Sequence, residues 1–154
     1  TTITIDMLFS QIVLFIACFA LLYIPLTSAK VWSNCGGPND TFKLTDVSYS
    51  PTKIIKGETI TYSVSGTLIK PVTTGAFVVL NVAIDGHPFF KAKKEDLCNS
   101  IKCPLAPGVE DRKGTFKIPD LMPAGTYIGN ATAIDGDGAQ IACFTFDFEV
   151  HHKF

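Results

Sequence analysis

The chain has 154 residues, 47% of them hydrophobic, with 13 basic and 14 acidic side chains and a formal net charge of −1. Such a balance provides no field that would gather nucleic acid or an anionic membrane surface. Asp6 is the single charge ahead of Lys30, so residues 30–154 are neutral overall and of a size that suits one domain with one core.

Ile12 to Ile24 is an uncharged run of 13 residues. That matches the apolar core of a signal peptide, about 7 to 15 residues, better than a membrane span of about 20. The run closes on Pro25-Leu26-Thr27-Ser28-Ala29, with small residues three before and immediately before a cut after Ala29. Residues 1–29 are therefore expected to be a signal peptide, with translation from Met7. Residues 30–154 are expected to be the mature domain, secreted or held in the endolysosomal lumen. Left uncleaved, the same run with Leu8 and Phe9 would act as a signal anchor.

Gly, Pro and Asp-Gly punctuate the rest of the chain at intervals of about ten residues, and no long window shows helical periodicity. This predicts an all-β sandwich or barrel. The first strands are Phe42 to Ser50, ending before Pro51, and Thr59 to Ile69. In the latter, Ile60, Tyr62, Val64 and Leu68 share one face, and threonines and serines fill the other. Ala76 to Ile84 follows, with Val78, Leu80, Val82 and Ile84 on one face. Asp85-Gly86 then predicts a hairpin turn, because glycine accepts positive φ, leading to a short strand near Phe89 to Lys93.

After a loop come Gly114 to Ile118, Thr126 to Ile134 and Gln140 to Val150, which makes about seven strands. The last of these alternates most cleanly, with Phe144, Phe146, Phe148 and Val150 on its inner side. Its partner sets Tyr127, Gly129, Ala131 and Ala133 against that aromatic row. Small residues beside large ones either interlock or leave space.

Cys18 lies in the leader, whereas Cys35, Cys98, Cys103 and Cys143 follow it. An even set of four in an exported chain predicts two disulfides, and the spacing leaves three pairings open. A Cys98–Cys103 bond would close a tight loop, worth about 2 kcal/mol; Cys35–Cys143 would close a far longer one, worth about 4 to 5 kcal/mol. Zinc is disfavoured because Cys35 and Cys143 have no close thiol neighbour, and no Cys-x-x-Cys redox motif is present.

Asp135-Gly136-Asp137-Gly138 lacks the further acidic ligands of a calcium loop and reads as a turn between strands. His87, His151 and His152 accompany no nucleophile motif, so no catalytic residue, metal or cofactor is expected and the protein is read as a non-enzyme. Asn39-Asp40-Thr41 and Asn130-Ala131-Thr132 match the N-glycosylation pattern, predicting that Asn39 and Asn130 lie on the surface. Lys91, Lys93 and Lys94 read as a solvated edge strand, with contact to anionic head groups as the second reading.

Four groups of residues, in this order and spacing, resemble the ML-domain lipid-recognition family. They are Cys35-Gly36-Gly37; Gly57 with Ile60; Asp96-Leu97-Cys98 with Cys103-Pro104-Leu105; and Ile141-Ala142-Cys143-Phe144. The similarity is greatest to the phosphatidylglycerol/phosphatidylinositol transfer branch and covers nearly all of Val31 to Val150. It implies an immunoglobulin-like β-sandwich whose sheets part around a lipid, with Cys98 joined to Cys103 and Cys35 to Cys143. The additional N-terminal disulfide frequent among sterol-carrier members has no cysteines here.

By the same resemblance the cargo is a phospholipid or a sterol-like lipid, taken up during transient membrane contact by a monomer. Phe90, Leu121 and Met122 would form its portal. The walls would be Tyr62, Val64, Leu80, Val82, Phe116, Ile118, Tyr127, Ala131, Phe144, Phe146 and Phe148. A competing expectation is an immunoglobulin-like adhesion or recognition module in which those same side chains make a solid core. A small secreted hydrolase would need a polar cluster that the sequence does not display.

Overall fold

The computed structural model describes residues 31–89 and 92–153. The expected leader, Phe90 and Lys91 lie outside the described residues. The strands are β1 (Trp32–Asn34), β2 (Phe42–Ser50), β3 (Ile54–Ile55), β4 (Thr59–Leu68), β5 (Phe77–Ile84), β6 (His87–Pro88), β7 (Lys93–Asp96), β8 (Gly108–Lys117), β9 (Gly125–Ile134) and β10 (Gln140–His151). One sheet runs β1-β10-β9-β5-β6, with β3 added to β10 and β7 to β5; the other is β2-β4-β8. The result is an immunoglobulin-like β-sandwich.

Alternation puts the apolar residues of each strand on the side facing the other sheet. Cross-strand register brings Leu80 beside Ala131 and Ala131 beside Phe144, while Val82 pairs with Gly129 and Gly129 with Phe146. The β5–β6 turn has Asp85 at φ 48° and Gly86 at φ 82°, the two successive positive values of a type I′ hairpin.

Three departures from the sequence pattern have physical causes. Strands β1 and β3 are too short for alternation to register, and both exist because β10 supplies hydrogen-bonding partners, antiparallel to β1 and parallel to β3. The strand expected at Phe89 to Lys93 is instead split into β6 and β7; between them the Phe89 amide donates to Val82 at 2.9 Å while its ring packs inward. Finally, β8 begins at Gly108 rather than Gly114, pairing with β4 along its whole length. The segment Val109-Glu110-Asp111-Arg112-Lys113 conceals this in sequence, because charged side chains occupy both of its faces.

Both disulfides follow the pairing implied by the family resemblance. Cys35–Cys143 joins the end of β1 to β10 with Cα atoms 5.0 Å apart, and Cys98–Cys103 closes a loop between β7 and β8 with Cα atoms 5.4 Å apart. The second pair packs beneath the lower end of the sandwich, against a cluster of Leu68, Val72, Ala76, Ile141 and Ala142. A separate cluster of Ile54, Ile60, Val82, Ile118, Met122, Tyr127 and Val150 fills the upper end.

Candidate functional site: the gap between the sheets

The described interior is packed at its two ends. Tyr62, Val64, Val78, Ala131, Phe116 and Phe144 all point between the sheets yet belong to neither cluster. Two of them are open to solvent: Tyr62 retains 42% of its accessible surface and Phe116 retains 51%. In a fully closed sandwich such positions would be buried. Val64, Leu80, Phe144, Phe146 and Phe148 are half-buried.

Glycines explain why these aromatic rings leave the middle unfilled. A Cβ on Gly129 would stand 2.6 Å from the Phe146 ring, and one on Gly114 would run into the Tyr62 ring. Each ring therefore lies over a glycine of its own sheet instead of crossing to the other. Along β10 the stack continues, with ring centres 6.1 Å apart from Phe144 to Phe146 and again from Phe146 to Phe148. Phe148 stacks on Tyr127 at 5.2 Å, and Phe89 meets Tyr127 edge-on at the same distance. The arrangement is an aromatic wall with small residues alongside.

The upper end anchors that wall. Tyr127 is fully buried, its hydroxyl donates to the Pro123 carbonyl at 2.8 Å, and burial together with the negative charge of Asp85 raises its pKa. Ile118 is also fully buried, and Val82 and Met122 nearly so. The proline-framed loop thus divides the two residues expected at the portal: Met122 turns into the upper cluster, whereas Leu121 is 96% exposed. Phe90 lies outside the described residues.

The gap has one closed side and one open side. Strand β2 lies against β1 and β10, where Trp32 Nε1 donates to Asp46 Oδ1 at 3.4 Å across the sheets. On the far side stand the edge strands β7 and β8. Their inner faces carry four charges, of which sequence reasoning singled out Lys93 and not Glu95, Glu110 or Arg112. Glu110 pairs in register with Gly66 and Arg112 with Val64, so both point between the sheets, as do Lys93 opposite Leu80 and Glu95 opposite Val78. Arg112 contacts Glu110 at 2.5 Å, and Lys93 contacts Glu95 at 2.5 Å. Lys94 points outward, over the Phe77 ring at 3.6 Å. Only the strand register reveals this inward placement; composition alone marks a polar loop.

Elsewhere, a polar pocket of about 540 Å³ at the lower end is lined by Asn39, Asp40, Lys70, Thr73, Asp135 and Gln140, among others. Its carboxylates are engaged internally: Gln140 donates to Asp40, and the Thr73 amide and hydroxyl donate to Asp135. Among the described residues no group of His, Cys, Asp and Glu could hold a metal ion. Asn39 is exposed, and Asn130 lies on the outer face of β9 beside Asn81 and Thr145.

With this geometry in view, a family model for the ML domain matches residues 29–150. A Dictyostelium discoideum protein, provisionally named as a phosphatidylglycerol/phosphatidylinositol transfer protein, is 36% identical over 138 residues, covering 86% of this chain and 94% of its own length. The phosphatidylglycerol/phosphatidylinositol transfer protein of Aspergillus oryzae is 31% identical over 115 residues, covering 71% of this chain and 65% of its own length. A Niemann-Pick type C2 protein from Japanese carpenter ant aligns in structure with a TM-score of 0.65 at 22% identity, covering 79% of this chain and 99% of that one. The last likeness concerns the fold.

Proposed function

Because the chain belongs to the ML-domain family, we propose that it is a non-enzymatic lipid-binding and transfer protein that lodges a phospholipid, such as phosphatidylglycerol or phosphatidylinositol, or a sterol-like lipid between its two sheets. The observation that carries this reading is the exposure of Tyr62 and Phe116 on faces that point at the opposite sheet. An interior split into two end clusters favours a guest over the solid core of an adhesion module.

The mechanism is one of solvent exchange. Each lipid methylene kept from water is worth about 0.8 kcal/mol, so release into water is prohibitive. Passage from bilayer to aromatic gap replaces one apolar surrounding by another, and the net free energy approaches zero. Tyr62, Val64, Leu80, Phe116, Ala131, Phe144, Phe146 and Phe148 would contact the chains, with Val82, Ile118, Met122 and Tyr127 as the floor that limits depth. Leu121, at the tip of its loop, would touch the membrane together with Phe90. In the same reading residues 1–29 direct export to a secretory or endolysosomal lumen, where Asn39 and Asn130 carry glycans.

Native mass spectrometry of the purified mature protein tests the proposal. A lipid adduct should be present, and the protein should move labelled phospholipid between vesicles. A protein that is lipid-free and inactive in transfer would refute the carrier role.

A further inference from the structure

We propose that Arg112 is the ligand for the phosphodiester of an anionic phospholipid seated between the sheets, with Glu110 as the counter-charge it leans on when the site is empty. This rests on the lipid-carrier reading and assigns its head group a place. Arg112 and Glu110 sit two apart on β8, on the same inner face, opposite Val64 and Gly66 of β4. They lie where the gap runs out to the open edge.

The two side chains are unequally covered. Glu110 keeps 16% of its side-chain surface exposed and Arg112 keeps 50%. A carboxylate with this little side-chain exposure, on the face that points between the sheets, carries a desolvation cost that an apolar residue would avoid. Structural need does not account for it, since β8 is already held to β4 by its backbone ladder. Inward-pointing charges can also protect a sheet edge from pairing with another chain, but that role would be indifferent to lipid head groups.

The contact with Glu110 uses one edge of the guanidinium, and no hydrogen bond to the other edge is formed among the described residues. Glu110 Oε2 receives both Nε, at 2.6 Å, and Nη2, at 2.5 Å, which occupies the lateral edge of the guanidinium. The end-on edge, formed by Nη1 and Nη2, remains directed away from Glu110. Two parallel N–H donors in a planar fork match two phosphate oxygens. A phosphodiester there would sit at the mouth, with its acyl chains running inward over Phe144 and Phe146.

The test uses full-length mature protein and phosphatidylcholine vesicles carrying labelled phosphatidylglycerol or labelled diacylglycerol of the same acyl chains. Arg112→Gln should lower phosphatidylglycerol transfer about tenfold, the scale of one lost charge-assisted pair, and leave diacylglycerol transfer unchanged, with a lower melting temperature because Glu110 loses its partner; adding Glu110→Gln should restore the melting temperature and not the phosphatidylglycerol transfer. Glu110→Gln should act in the opposite direction, raising phosphatidylglycerol retention, because the arginine then has no competing carboxylate. If the pair were merely structural, both substitutions would weaken the protein alike, and that result overturns the proposal. So does an Arg112→Gln effect that is absent or equal for both lipids. Competition by soluble glycerol 3-phosphate would overturn the assignment to a lipid and identify a free phosphate ester as the ligand. Wild-type protein that moves neither lipid would instead remove the carrier reading itself.

Discussion

At each long side of the sandwich the edge strands of one sheet face those of the other, yet one side is shut and the other open. On the shut side, β2 lies against β1 and β10, Trp32 reaches across to Asp46, and Cys35–Cys143 fixes β1 in place. On the other side, β7 and β8 carry ion pairs on their inner faces, and Phe116 is half exposed. Alternation determines which side chains face inward; it does not determine whether anything meets them. Closure depends on cross-sheet partners, and here the rings on both inner faces lie down over Gly114 and Gly129.

The largest test of this contrast is to cut each staple. Cys143→Ser removes a bond spanning 108 residues of sequence and should cost about 4 to 5 kcal/mol, whereas Cys98→Ser should cost about 2 kcal/mol. Urea denaturation of the two variants measures both. Should the short loop prove the more costly, the length of chain that each bond closes is not what sets its contribution.

Next in size is a pair of residues two apart on the same inward side. Ile118 is fully buried in the upper cluster and Phe116 is half exposed above the gap. Ile118→Ala should cost about 2 to 4 kcal/mol through the cavity it leaves. Phe116→Ala should change stability by about 0.5 kcal/mol or less, as surface substitutions do, yet reduce lipid uptake from vesicles severalfold. An equal loss of stability at both positions would mean that the gap is ordinary core.

A smaller effect concerns the filling of the middle. Ala131 is buried but belongs to neither cluster, so Ala131→Leu extends into the space between the sheets. Overpacking a tight core costs about 1 to 3 kcal/mol. Here the melting temperature should hold or rise while lipid binding, read by native mass spectrometry, falls.

Much of this was legible in the sequence because burial and chemistry agreed there. The phenylalanine row of β10 and the Asp85-Gly86 turn each carry a strong local signal. The charged half of β8 was not legible. Glu110 and Arg112 have no apolar alternation around them, and their inward direction follows from pairing with β4, a contact remote in sequence. Leu121 and Met122 show a similar limit: a proline-framed loop identifies an apolar tip, but only tertiary packing decides that Met122 enters the upper cluster while Leu121 faces solvent. Where a residue works through what lies across a gap, a one-dimensional pattern has no means of expressing it.

The smallest expected effect lies at the shut lower end and depends on pH. Asp135 accepts hydrogen bonds from the Thr73 amide at 2.7 Å and the Thr73 hydroxyl at 2.8 Å, tying the β9–β10 turn to the segment before β5. Burial alone would raise its pKa, but those bonds and one from the Gly136 amide outweigh it and hold the carboxyl below its ordinary value of 3.8. A folded pKa lower than the unfolded one contributes stability that is fully present above pH 3.8 and is lost as pH falls through the folded value. The stability difference between wild type and Asp135→Asn should therefore be constant from neutral pH down to about pH 5 and shrink below 3.8. Lipid uptake should not change, because Asp135 lies in the β9–β10 turn and is not one of the residues that face the gap. If Asp135→Asn impaired uptake at neutral pH, the shut end and the open edge would be coupled, and the division drawn between them would fail.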